Sequence, residues 1–239
     1  MAQNPKPVIF CDFDGTITEI DVTDQILSEL AHPSWREVEQ EWVRGTIGSR
    51  ECLERQMALV KASERELNAL VDAIPVDSSF AGFYDFVEKR GIPFFILSDG
   101  FHSVIRRVLR KAGLGGPLAS GRRVFASTLE WDAGFLRIQF PFANPGCRHG
   151  CATCKLALMK KLESRRWKIF IGDGLSDRFA AERADLEYAK GHLLAYCRDR
   201  GLKARPFENF AEVQEDLEKR FAPRPARRRL TSRRVLAAS

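Results

Sequence analysis

The stretch that most constrains this chain is Val8-Ile9-Phe10-Cys11-Asp12-Phe13-Asp14-Gly15-Thr16, an apolar run that stops at two carboxylates one residue apart. A short continuous apolar run describes a strand buried on both faces, as in a parallel sheet covered by helices. In extended backbone residues i and i+2 point the same way, so Asp12 and Asp14 are expected to share one site while Phe13 packs on the opposite side. Gly15 lets the chain turn out of the strand without a Cβ penalty. Open α/β sheets place their ligands beyond the carboxyl ends of their strands, so the two acids sit where chemistry is expected.

After this strand, at about 7–12, come some 60 residues with helical periodicity. Segments 23–30, 34–44, 49–60 and 63–71 each begin near a Ser or Thr able to cap a helix and repeat apolar residues every three or four positions. Pro33, Gly45, Gly48 and Pro75 punctuate them. A helical block between the first strand and the rest of a sheet reads as an inserted cap. The α/β rhythm resumes with helix 79–90, strand 93–97 and helix 103–112. The β-rich runs 122–129 and 135–140 form a small hairpin beside the sheet. Helix 155–164, strand 168–171, helix 176–184, strand 186–189 and helices near 191–200 and 209–220 complete an α/β fold with a Rossmann-like parallel sheet. The division expected is a core of 1–18 and 79–221, a helical cap of 19–78 and a basic tail of 222–239.

Charge matters only once it is located. The net charge of +6 belongs to that tail, where Arg224, Arg227, Arg228, Arg229, Arg233 and Arg234 stand with no acid, leaving basic and acidic residues equal in number elsewhere. A Pro- and Arg-rich segment without apolar periodicity reads as disordered, which argues against a nucleic-acid partner for the folded body. No stretch approaches the ~20 apolar residues of a membrane span and no basic-then-apolar secretory signal opens the chain, so no membrane partner and a cytoplasmic location are expected. The six cysteines then read as thiols or metal ligands before disulfides.

Three later stretches are placed to meet the first two acids. Phe94-Phe95-Ile96-Leu97 ends in Ser98-Asp99-Gly100, offering a hydroxyl and backbone N–H groups before a helix, a phosphate-type anion site. Lys155 opens a helix with a point positive charge. Ile169-Phe170-Ile171 ends in Gly172-Asp173-Gly174-Leu175-Ser176-Asp177, a third strand delivering carboxylates. Acids, hydroxyl and lysine are the inventory of metal-assisted phosphoryl transfer.

In their order and their common position after apolar runs, these motifs resemble the haloacid dehalogenase superfamily of phosphohydrolases over about residues 7–220. The resemblance implies that Asp12 is the nucleophile forming an aspartyl phosphate and Asp14 the acid/base. It implies further that Ser98, with Asp99 and Gly100, and Lys155 hold the phosphoryl group. Mg²⁺ would be bound by Asp12, the Asp14 backbone carbonyl and Asp173, with Asp177 supporting from behind. An oxygen-rich site suits Mg²⁺. The helical insert after the first motif is similar to the phosphoserine-phosphatase-like branch. Asp21 after the first motif, Pro33-Ser34-Trp35, the cysteine cluster running into Lys155, and Tyr188-Ala189-Lys190 through Cys197 resemble a methionine-salvage phosphatase family within that branch. Asp99 departs from the glycine expected in many relatives. Arg55 resembles a cap arginine that meets a substrate carboxylate, with Glu19 and Asp21 as acidic candidates for the same pocket.

The cluster Cys147-Arg148-His149-Gly150-Cys151-Ala152-Thr153-Cys154 stands apart. Cys147, His149, Cys151 and Cys154 offer a structural zinc set, set against a redox pair or ordinary loop thiols. The function expected is Mg²⁺-dependent hydrolysis of a small phosphorylated metabolite, with phosphoserine phosphatase as one alternative. The other is a non-enzymatic binding module using the cysteine loop and the basic tail.

Overall fold

The computed structural model describes residues 6–116, 118, 122–132, 135–163 and 165–222. The expected basic tail beyond Ala222 and the tip of the expected hairpin lie outside the described residues. Seven strands, β1 (Pro7–Cys11), β2 (Phe94–Phe101), β3 (Val124–Asp132), β4 (Phe135–Gln139), β5 (Trp167–Gly172), β6 (Leu186–Ala189) and β7 (Arg205–Pro206), form one sheet in the order β4-β3-β2-β1-β5-β6-β7. Every pairing is parallel except β4 on β3, the expected hairpin at the edge.

Side-chain alternation along β1 divides the core. Ile9 and Cys11 join the larger apolar cluster, with Phe80, Phe83, Phe94, Val104, Ile105 and Phe210 from α5 (Phe80–Lys89), β2, α6 (His102–Lys111) and α10 (Phe210–Phe221). Val8 and Phe10 join the other, with Leu158, Met159, Ala180, Leu193 and Cys197 from α7 (Lys155–Lys161), α8 (Arg178–Ala181) and α9 (Gly191–Asp199). Each fully buried Phe or Ile contributes about 1.5–3 kcal/mol of apolar burial. The central strands are therefore held from both sides, and their carboxyl ends form a fixed platform.

Four helices precede α5 in the segment between β1 and β2: α1 (Val22–Leu30), α2 (Trp35–Val43), α3 (Ser49–Met57) and α4 (Glu64–Asp72). Their starts differ from the simple Ser/Thr reading. Asp21 caps α1 by accepting from Asp24 N at 2.9 Å, and Ser63 with Glu66 closes a capping box on α4. Ser34 makes no cap bond, and Ser49 spends its hydroxyl elsewhere, accepting from Ala152 N at 3.0 Å. The third helix ends at Met57 rather than 60, because Val60 leaves it to bridge Ala31.

Two differences matter for the site. Strand β1 stops at Cys11, and Phe13 O accepts from the N–H groups of Thr16, Ile17 and Thr18, so Asp14 is delivered by a turn and not by strand alternation. Strand β2 runs on through Ser98-Asp99-Gly100 to Phe101, with a register shift against β3 between Leu97 and Phe101. The segment expected as a helix entry is thus a bulged strand end. Similarly, the helix expected over 176–184 is a 3₁₀ turn, Leu175–Asp177, followed by the short α8.

Candidate active site

The turn after β1, the bulged end of β2, the start of α7 and the turn after β5 converge. Lys155 is buried at the first position of α7, with Nζ 2.7 Å from Asp12 Oδ1, 2.5 Å from Asp177 Oδ1 and 3.3 Å from Ser176 Oγ. Burial works against its charge, but Asp12 and Asp177 more than offset it, so the ammonium is held well above the ordinary lysine value. Asp177 is fully buried, and its second carboxylate oxygen accepts the N–H groups of Asp173 and Gly174, both at 3.2 Å. Asp177 is a clamp that fixes Lys155 and the turn after β5 together.

Asp173 accepts from Thr16 Oγ1 at 2.7 Å, and Asp14 lies 3.4 Å from Ser98 Oγ, which also receives Gly100 N at 2.9 Å. Gly15 sits at φ +67°, in the left-handed region, and a Cβ there would collide with the Asp173 carboxylate. A Cβ on Gly100 would collide with Asp14. These two glycines let backbone approach acids that must stay close together.

The carboxylates are strained as charges. Burial, the neighbouring Asp177 and other acids hold Asp12 well above the carboxylate range despite Lys155. Burial pushes Asp14 up to about 7, and burial with Asp177 pushes Asp173 up to about 6. Asp12, Asp173 and Asp177 bring one oxygen each within 4.8 Å of one another, the only such group of His, Cys, Asp or Glu among the described residues. An all-oxygen donor set with surplus negative charge fits a hard divalent cation such as Mg²⁺. Asp177 already spends its oxygens on Lys155 and two backbone amides, which leaves Asp12, Asp173 and the Asp14 turn for a metal.

A cavity of about 370 Å³ opens from this platform toward α2 and α3. The core lines it with Asp12, Asp14, Asp99, Gly100, Asp173 and Ser176, and the helices with Glu39, Trp42, Val43, Cys52, Leu53 and Gln56. Asp21 and Asp24 line its side. No lysine or arginine lines it among the described residues, since Lys155 lies behind Asp12. Glu39 Oε2 accepts from Gln56 Nε2 at 2.8 Å and from Cys52 Sγ at 3.7 Å, while burial pushes its carboxyl upward.

The remaining expected residues are placed as follows. Asp99 lines the cavity, but its carboxylate accepts Thr153 N at 2.9 Å and bonds to Ser49, so it ties β2 to the cysteine loop and to α3. Arg50 N donates to Gly150 O at 3.0 Å, a second tie between α3 and that loop. Glu19 lies in a neighbouring groove with Lys190, Glu208 and Asn209, outside the cavity that holds Asp12 and Asp14. Arg55 is outside both, paired with Glu41 through two bonds of 2.7 Å and with Glu51 at 3.5 Å. In the cysteine loop, Cys147 Sγ lies 3.6 Å from Cys151 Sγ and the His149 ring stacks on Phe179 at 3.5 Å; Cys147, His149, Cys151 and Cys154 line one small cavity together, but their donor atoms are not gathered within 4.8 Å of one another.

Thr16, Asp24, Glu39, Trp42, Ser49 and Gln56 were not assigned roles from sequence. Thr16 lies inside the first motif and could have been read as a partner for the last one. The others signal nothing locally, because their place depends on how α2 and α3 pack.

A parallel sheet with helices on both faces, and acids, lysine and serine gathered at its strand ends, defines an α/β enzyme of the phosphohydrolase type. The sequence pattern of the haloacid dehalogenase-like hydrolases matches residues 9–182, and the chain belongs to that family. It is a phosphatase of the family. It is 32% identical to the 2-hydroxy-3-keto-5-methylthiopentenyl-1-phosphate phosphatase of Geobacillus kaustophilus, over 89% of this chain and 96% of that protein. It is 30% identical to the enzyme of the same name from Bacillus velezensis, over 89% and 90% respectively. A substrate-bound phosphoserine phosphatase has the same fold, with a TM-score of 0.67 at 18% identity over 90% of this chain and 99% of that one. No helix among the described residues is long and apolar enough to cross a membrane.

Proposed function

We propose that the chain is a Mg²⁺-dependent phosphomonoesterase acting through an aspartyl-phosphate intermediate. Its substrate would be a small metabolite whose alcohol portion carries no carboxylate, such as 2-hydroxy-3-keto-5-methylthiopentenyl-1-phosphate. The proposed division is a core of residues 1–18 and 79–221 under a cap of 19–78. Bound Mg²⁺ would supply charge neutralisation between the Asp12 carboxylate and the incoming phosphate. Asp12, Asp173 and the Asp14 backbone carbonyl would hold it.

The chemistry follows from the groups present. Lys155, fixed by Asp177, holds Asp12 in place and sets a positive charge behind it that favours an incoming phosphate. Asp12 attacks phosphorus, and the ester P–O bond breaks as the leaving oxygen takes a proton from Asp14. The ionised Asp14 then takes a proton from water, whose oxygen attacks the aspartyl phosphate and frees inorganic phosphate and Asp12. A carboxyl raised to about 7 is suited to give and retrieve that proton near neutral pH. Ser98, which also receives Gly100 N, orients Asp14, and Gly100 borders the cavity.

One observation carries the choice of substrate class: the cavity is lined by acids and by Trp42, Val43 and Leu53, with no arginine or lysine to receive a carboxylate. An uncharged, partly apolar tail suits that lining, and the names of the curated relatives point the same way. Phosphoserine suits it poorly, because Arg55 is engaged by Glu41 and Glu51 outside the cavity. The test is turnover of p-nitrophenyl phosphate with and without EDTA, followed by a panel of phosphorylated metabolites. Activity lost in EDTA and restored by Mg²⁺, with the methylthio ester preferred over O-phospho-L-serine, is expected. EDTA-insensitive turnover, or O-phospho-L-serine as the preferred substrate, would overturn the reading.

A further inference from the structure

Glu39 takes no part in the phosphoryl-transfer steps, yet it lines the same cavity from the cap side. Its position is fixed rather than mobile: Gln56, itself only 2% exposed, donates Nε2 to Glu39 Oε2 at 2.8 Å while reaching Trp35 O at 3.5 Å. Among the described residues no hydrogen bond reaches Glu39 Oε1, so acceptor capacity is left over on a carboxylate that borders the cavity. Trp42 and Val43, three and four residues further along α2, share its helix face and also line the cavity. That face therefore presents one anionic acceptor beside an apolar surface. Asp24 lies close enough to Glu39 to act on its charge, while Arg36 acts on Asp24, and among the described residues the only basic side chain that lines the cavity is His192.

Resting on the phosphomonoesterase reading above, we infer that Glu39 is a specificity-determining residue: it accepts a hydrogen bond from a hydroxyl on the alcohol portion of the substrate and rejects phosphoesters that carry a carboxylate there. A hydroxyl directed at Glu39 gains a charge-assisted bond. A substrate carboxylate in the same place meets the Glu39 charge, whose own partners Gln56 and Cys52 are uncharged, so selection comes from the unfavourable pairing as much as from the favourable one. Gln56 and Cys52 are positioning residues, since they act on substrate only by holding the Glu39 carboxylate.

Glycerol 1-phosphate and 3-phosphoglycerate test this as a matched pair, because they differ by a hydroxymethyl group in place of a carboxylate. The readout is kcat/KM for each, normalised to p-nitrophenyl phosphate on the same enzyme. The wild type should favour glycerol 1-phosphate, and Glu39→Gln should shrink that preference by about tenfold or more, mainly through KM. Glu39→Asp, which keeps the charge on a shorter stem, should retain the preference in weakened form, and it serves as the test if the glutamine variant fails to fold. A preference within about twofold of wild type in Glu39→Gln, or an unchanged one in a folded Glu39→Asp, would overturn the assignment. Failure of the phosphatase reading would be distinguishable, since it would appear as the absence of EDTA-sensitive p-nitrophenyl phosphate turnover in the wild type.

Discussion

The two ends of the cavity hold their charges differently. At the core end each acid has a named partner: Lys155 for Asp12 and Asp177, Thr16 for Asp173, Ser98 for Asp14, and two backbone amides for the second oxygen of Asp177. At the cap end Glu39 leans on a neutral amide and a thiol, and Trp42, Val43 and Leu53 line the cavity beside it. The difference teaches what each end can receive. The core end is over-supplied with carboxylate and suited to a cation together with a phosphate, whereas no lysine or arginine of the cap lines the cavity among the described residues, and that end suits a neutral guest.

The largest expected effect is at the core end. Lys155→Met would leave Asp12 and Asp177 buried without their shared cation, which should cost about 3–5 kcal/mol of stability in chemical denaturation. Turnover should fall by at least about 10²–10³-fold, the loss typical of removing one charge-stabilising donor. A variant within about 1 kcal/mol of wild type and still active would mean that the pairing at this end is ornamental.

A smaller effect sharpens the comparison, because Glu187 on β6 is a core acid held as poorly as those of the cap. Burial, with the Asp177 charge, pushes its carboxyl up to about 8, and Oε1 has no partner. The sign is that of a raised acid: the unfolded chain ionises Glu187 near its ordinary value of about 4.3, while the folded chain keeps the proton until about 8. Between those values the folded state binds more protons, so this group makes the protein less stable as pH rises. Glu187→Gln should therefore raise Tm relative to wild type at pH 9 more than at pH 5. A Tm difference that is independent of pH would show that Glu187 is paired after all.

The smallest effect concerns Arg55, read from sequence as a carboxylate reader. Its pairs with Glu41 and Glu51 are largely exposed, and Arg55→Ala should leave the denaturation midpoint close to that of the wild type. Its kcat/KM should change by the same factor on O-phospho-L-serine and on p-nitrophenyl phosphate. A selective loss on O-phospho-L-serine would put a cation back at the cap end and break the comparison.

The same contrast explains what the sequence could reveal. Asp12, Asp14, Ser98, Lys155 and Asp173 were legible because each closely follows a buried apolar run or opens a helix, so local pattern places it. The turn that actually delivers Asp14 was missed, because it depends on Phe13 O collecting three N–H groups, which no periodicity reports. Asp99 was noticed as an anomaly, but its partner Thr153 lies 54 residues away and its role as a tie was invisible. Glu39 and Gln56, 17 residues apart on two helices, become neighbours only when α2 packs on α3. The exposed Arg205–Pro206 pairing is too short to leave a strand signature.

The central claim is that Asp12 carries the phosphoryl group, and chemical trapping tests it most directly. Enzyme turning over p-nitrophenyl phosphate with Mg²⁺ would be quenched rapidly in acid, reduced with borohydride and digested, and the peptide containing residue 12 would be weighed. Reduction of an aspartyl phosphate leaves homoserine, so the account predicts homoserine at position 12 only when substrate and Mg²⁺ are both present, and none in Asp12→Asn, which should also be inactive. An unmodified Asp12 in enzyme quenched during turnover, together with an active Asp12→Asn variant, would contradict it.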